Sequence, residues 1–148
     1  MNEVLNCLLT RRSVKKYLSQ PVEKEKLDAV LEAGTYAACG MGRQAGKIVV
    51  LQNPDDIAQL ERMNAAILGN PDAHPFYGAP VVCVVFADTN VNTWVEDGSL
   101  VIGNMMAAAH SLGFVLVTST LAAAGLYWAA PVLAGRVLHE PAAVCSLR

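Results

Sequence analysis

Arg11, Arg12, Ser13, Lys15 and Lys16 bring two guanidinium groups, a hydroxyl and two ammonium groups into one short segment of a chain whose formal net charge is −2. Arg gives forked, charge-assisted hydrogen bonds, Lys a compact positive charge and Ser a short hydroxyl bond, a set suited to a bound phosphate. Taken alone, such a run reads rather as a solvated basic patch at a helix end. A second group follows in Cys39, Gly40, Gly42, Arg43 and Gln44. Its glycines let the backbone approach a flat ligand, and Arg43 and Gln44 could bond ring carbonyls or nitrogens; the loop also reads as a plain helix exit. The spacing Gly40-x-Gly42-x-x-x-Gly46 comes near a dinucleotide fingerprint. It follows a helical pattern and precedes a strand pattern, the reverse of the order a nicotinamide-binding Rossmann turn requires.

Other reactive side chains carry less. Cys39 is either a nucleophile or a small packed residue, and no histidine stands near it in sequence. His74, His110 and His139 lack metal-ligand spacing, and His110 lies on an apolar segment where a packed histidine is the simpler reading. Glu96 and Asp97 form a carboxylate pair that helix capping explains, with Asp97 as the cap. The 4 cysteines are scattered with no C-x-x-C pair, which predicts neither a metal site nor a disulfide framework and favours a reducing cytoplasm. A pI near 5.9 argues against general nucleic-acid binding. The start Met1-Asn2-Glu3-Val4 shows no signal-peptide pattern.

The elements that must position these groups follow from periodicity. At 148 residues and 53% hydrophobic content, the length prior is one domain with a real core. Val4, Leu5, Leu8 and Leu9 recur at helical spacing and predict a short helix ending near Thr10. After Pro21, the spacing of Leu27, Val30, Leu31 and Gly34 predicts a second helix. Residues 47–51 and 81–86 read as strands, the second apolar throughout and so covered on both faces. Asn53-Pro54-Asp55-Asp56 is a helix start, with Ile57, Leu60, Asn64 and Ile67 on one face. A loop from Gly69 to Gly78 separates this helix from the second strand. A last helix, from Asp97 to a stop at Gly113, is apolar nearly all round, which places it centrally or at a subunit interface. Residues 111–135 carry no charge and reach the length of a membrane span, although Pro131 and many small residues make them only moderately apolar.

Together the segments Thr10 to Tyr17, Gly34 to Ala37, Gly40 to Gln44, Phe76 to Pro80 and Glu96 to Asn104 resemble the FMN-dependent nitroreductase family, in that family's order, up to about Phe114. The resemblance implies an α+β fold: a nitroreductase-like three-layer sandwich with a central, mostly antiparallel sheet flanked by helices, here truncated at the C-terminus. It implies an intertwined homodimer in the cytoplasm, with FMN at the subunit interface. Arg11, Arg12, Ser13 and Lys15 would hold the flavin phosphate and ribityl chain. Cys39, Arg43 and Gln44 would line the ring, with Asn64 as a further polar contact. NADH or NADPH would deliver hydride, and a nitroaromatic, quinone or similar acceptor would take it in ping-pong order. The flavin carries that chemistry, so no side chain is expected to be catalytic.

The chain departs from the family where Ala38-Cys39 replaces the usual Pro-Ser, and where Ala45-Gly46 replaces a small residue and proline. After Gly113 the usual Leu-Gly-Ser-Cys-Trp or Tyr-Ile-His or Asn continuation is missing. Shifting the reading frame from the last base of the Phe114 codon permits Ser, Cys, Tyr, Ile and Asn or His in turn from the second shifted codon onward, which suggests translation out of frame. The expected organisation is a core of residues 1–114 and a divergent apolar tail of residues 115–148. An altered tail would give the sheet an open edge. Two rival expectations stand beside the enzyme: a non-catalytic nitroreductase-derived fragment binding flavin weakly or not at all, and a reductase anchored by residues 111–135.

Overall fold

The computed structural model describes residues 2–17, 20–114, 116–119 and 142–147. Its helices are α1 (Glu3–Thr10), α2 (Lys24–Thr35), α3 (Pro54–Ile67) and α4 (Trp94–Ser111), and its strands β1 (Gly46–Leu51), β2 (Val81–Ala87), β3 (Leu116–Ser119) and β4 (Ala142–Leu147). The strands form one antiparallel sheet in the order β1-β2-β4-β3. The open edge expected from the altered tail is therefore not at β2. Residues 142–147 pair along β2, with Val84 opposite Val144, and residues 116–119 pair outside them. Strand pairing over that separation leaves no local signal in sequence.

Strand alternation divides the core in two and produces the three layers. Val81, Cys83 and Val85 of β2 face α2 and α4, packing with Leu27, Val30, Val101, Ile102 and Met105. Val82, Val84 and Phe86 face the other way, onto Leu60 and Phe76, with Ile57 and Met63 beside them. Every residue of β2 is buried, as a run without alternation requires. Gly34 permits the closeness of the first layer, because a Cβ there would stand 2.8 Å from Ile48 Cδ1 and from Met105 Cγ.

The caps explain where the helices begin. Asn2 accepts from Leu5 N at 2.9 Å to start α1. Asn53 accepts from Asp55 N at 2.8 Å, with Pro54 opening α3 as the sequence predicts. The start of α4 differs from the expectation: Thr93 is the N-cap residue, and Asp97 sits inside the first turn, 2% exposed. Its side chain is used elsewhere, as described below. Among the described residues only one face of α4 is covered, leaving Val95 and Leu100 exposed, and α1 buries none of its residues. Residues 120–141, which hold most of the apolar run considered as a membrane anchor, lie outside the described residues. Among the described residues no helix is long and apolar enough to cross a membrane.

Burial has a titration consequence at Cys83, whose thiol is pushed from 9.0 up to about 12 by desolvation. The unfolded chain releases this proton from about pH 9, whereas the folded chain holds it. Stability is therefore complete below pH 9 and falls as pH rises toward 12. Urea unfolding should show the protein losing about 1 kcal/mol more than its Cys83→Val variant between pH 8 and pH 10. Equal slopes for the two proteins would contradict this assignment.

Candidate functional site

The loop that leaves α2 is bent by three left-handed residues: Met41 at φ 52°, Gly42 at φ 66° and Gln44 at φ 52°. Only Gly42 adopts this region freely; for Met41 and Gln44 it costs on the order of 1–2 kcal/mol each. Strain of this kind persists where surrounding contacts hold it. Here the Gly40 N–H donates to Asp97 Oδ1 at 2.9 Å, and Thr93 Oγ1 donates to Asp97 Oδ2 at 3.1 Å. A Cβ on Gly40 would fall 2.2 Å from Thr93 Oγ1, so no side chain fits at that position. Inside the loop, Arg43 N donates to Gly40 O at 3.1 Å and Gln44 N to the Cys39 sulfur at 3.4 Å. Beyond it, Asp88 N reaches Ala45 O at 3.3 Å and fastens the loop to the end of β2.

These contacts enclose one side of an open cavity of about 240 Å³ between the C-terminal end of α2 and the first turns of α4. Cys39, Gln44 and Asp97 supply polar atoms to its wall, while Leu31, Ile48, Val50 and Val101 supply apolar surface. A slot with an apolar floor and a few polar groups at its rim suits a flat heteroaromatic ligand. Tyr36 and Met41 stand exposed beside it. Arg43 is exposed on the same loop but does not line the cavity.

The basic segment lies elsewhere. Cys7 Sγ donates to Ala107 O at 3.3 Å and Thr10 Oγ1 lies 3.0 Å from His110 Nε2, so α1 is fastened to the C-terminal end of α4. Thr10 gives its one hydroxyl proton to Asn6 O at 2.7 Å, which assigns the Nε2 proton to His110. Arg12 Nη1 donates to Leu9 O and Arg11 O, both at 2.8 Å, and so closes the last carbonyls of α1. Arg11 is half-buried, and its Nη1 is fully buried with no hydrogen-bond partner among the described residues. Ser13 is exposed, and the Lys15 ammonium lies 5.4 Å from the centroid of the Tyr77 ring. The two groups singled out in the sequence thus sit at opposite ends of α4. At 1.5 Å rise per residue, Asp97 and His110 are about 20 Å apart along its axis.

The Nitroreductase family model matches residues 8–124. The chain belongs to the nitroreductase family. A Methanothermobacter thermautotrophicus relative with a provisional NADH dehydrogenase/NAD(P)H nitroreductase name is 32% identical over 120 residues, covering 75% of this chain and 57% of that protein. An FMN reductase [NAD(P)H] of Bacillus subtilis is 28% identical, over 76% of this chain and 52% of its own length. The chain thus spans less than two thirds of the length of either. A Bacteroides fragilis nitroreductase solved with bound FMN superposes with a TM-score of 0.85 at 25% identity, covering 99% of this chain and 88% of that one.

Within this nitroreductase fold the structure gathers Cys39 and Gln44 at the cavity, with Arg43 on the same loop, and sets Arg11, Arg12, Ser13 and Lys15 at the other end of α4. Asn64 joins neither group: it is completely buried on α3, the helix that packs over the opposite face of the sheet. Two residues were missed in sequence. Asp97 reads as a helix cap and Thr93 belongs to no motif in the sequence, whereas in space both fasten the Gly40 loop. The signal available was the close pairing of Asp97 with Thr93, but the Gly40 partner lies 57 positions away and could not be read.

Proposed function

We propose that this nitroreductase is an FMN-dependent NAD(P)H oxidoreductase that reduces nitroaromatics, quinones or similar acceptors, acting as a cytoplasmic homodimer. The observation that carries this reading is the buried Nη1 of Arg11, which has no hydrogen-bond partner among the described residues. A buried donor without an acceptor is costly, and an anionic oxygen placed there supplies the missing bond. With Ser13 and Lys15 following it on an exposed segment, Arg11 suits the phosphate end of FMN. The loop and its cavity suit the ring end. One ligand joins the two groups only if they come from different chains, because within one chain α4 holds them about 20 Å apart. The uncovered apolar residues of α1 and α4 give a second copy the surface it needs.

In this reading a bound FMN would supply the redox chemistry, hydride transfer from NADH or NADPH to the acceptor in ping-pong order. The chain itself binds and orients. Arg11, Ser13 and Lys15 hold the phosphate and ribityl chain, while Arg12 both caps α1 and adds positive charge. Gln44 and Arg43 offer amide and guanidinium donors to the ring edge, Cys39 forms part of the wall, and Ile48, Val50 and Val101 keep water from one side of the cavity. Asn64 is retained as a further polar contact of the ligand. No side chain is assigned a proton-transfer role. We also hold residues 1–114 to be the FMN-binding core and residues 115–148 a divergent continuation translated out of frame, which the gene's nucleotide sequence tests.

Anaerobic mixing of the FMN-loaded protein with NADH or NADPH should bleach the flavin's visible absorbance, and a quinone should restore it. A folded, flavin-loaded protein that neither nucleotide bleaches would overturn the enzyme reading. The rival reading is a non-catalytic fragment that binds flavin weakly or not at all, and a colourless protein that FMN cannot reconstitute would establish it.

A further inference from the structure

Asp97 is 2% exposed, and both of its carboxylate oxygens are engaged. A carboxylate in the first turn of a helix gains from the helix dipole while still exposed, so the dipole alone gives no reason to bury it. What burial achieves is a contact with a segment 57 positions away, the Gly40 N–H. That segment begins a loop with three left-handed residues, of which Met41 and Gln44 do not adopt the conformation freely. The loop's own bonds are weak or local, a sulfur acceptor for Gln44 N at 3.4 Å and a turn bond from Arg43 N to Gly40 O. The Asp97 bond, a charge-assisted one, ties the start of the loop to α4. Thr93 adds to the hold in two ways: its proton fixes the second carboxylate oxygen, and its side chain presses where a Gly40 Cβ would be.

We propose that Asp97 and Thr93 are positioning residues that clamp Gly40, holding residues 39–44 in the open left-handed form that receives the flavin ring. The clamp sets flavin affinity by ordering the loop in advance, without Asp97 or Thr93 bonding the ligand. This inference rests on the FMN reading given above, yet the clamp is measurable without FMN.

Amide exchange of the flavin-free full chain is the direct test. The Gly40 amide should be protected in the wild type and should exchange about tenfold faster or more in Asp97→Ala, while Val84 in the core keeps its rate. Asp97→Asn retains an oxygen for Gly40 N, so protection should return to within about threefold of wild type. FMN titration should follow the same order, with Asp97→Ala weakened about tenfold or more and Asp97→Asn largely restored. If Asp97→Ala does not fold, Thr93→Val removes the hydroxyl at nearly constant shape and should give intermediate values in both measurements. Unchanged Gly40 exchange in a folded Asp97→Ala protein overturns the proposal. So does faster exchange with unchanged FMN affinity, or an Asn variant no better than Ala. If Gly40 exchange responds as stated but the wild type binds no FMN, the clamp stands and the FMN reading fails.

Discussion

Replacing Arg11 by Met is expected to stabilise the flavin-free protein by about 1 kcal/mol and to weaken FMN binding about a hundredfold or more, opposite signs from one substitution. The reason is the buried Nη1, which has no partner among the described residues. An unsatisfied buried donor on a charged group costs on the order of 1–3 kcal/mol, and Met removes it while keeping an unbranched apolar stem of similar reach. The same nitrogen is the donor assigned to the flavin phosphate, so its loss removes a charge-assisted bond from the complex. Urea unfolding of the flavin-free variant and an FMN titration on the same preparation check both halves. Parallel losses of stability and affinity would show that Arg11 holds the fold together and is not reserved for an anion.

Phe76→Ala is the change expected to cost the most stability, about 3–5 kcal/mol, a large share of what a domain of this size possesses. Phe76 is completely buried on the α3 side of the sheet, against Leu60, Val82, Val84 and Phe86. Its backbone N–H donates to Glu61 Oε1 at 3.1 Å, which fixes the loop leading into β2. The segment from Phe76 to Pro80 is one of those that carry the family resemblance, and Phe76 serves packing within it. Chemical denaturation should show the shifted midpoint, while FMN affinity measured below that midpoint should change little. A large loss of FMN affinity in the folded variant would instead assign Phe76 to the ligand.

What could be read from the sequence was what depends on near neighbours. Asn53-Pro54 announces α3 because the cap bond and the missing proline N–H both act within one turn. Residues 81–86 announce a strand buried on both faces because each side chain is apolar, and β2 extends that run by Ala87 alone. The start of α4 was misplaced because Asp97 has a capping residue's chemistry, and its burial against Gly40 depends on a contact that no local pattern encodes. The pairing of β4 with β2 is hidden for the same reason. Within the candidate site, Cys39, Arg43 and Gln44 were readable as a group because one loop carries them. That Arg12 spends its Nη1 on the Leu9 and Arg11 carbonyls, while Arg11 Nη1 has no acceptor among the described residues, could be seen only with the helix end in place. Asn64, expected from the resemblance as a further polar contact, lies fully buried on α3, a depth that no local pattern encodes.

The central claim is that two copies of this chain complete a flavin site, the basic segment coming from one and the Gly40 loop from the other. Titrating the purified, flavin-free protein with FMN while following its oligomeric state tests that claim most directly. The expected result is a dimer that binds one FMN per chain to saturation. A folded protein that remains monomeric, or that shows no saturable FMN binding, would contradict it.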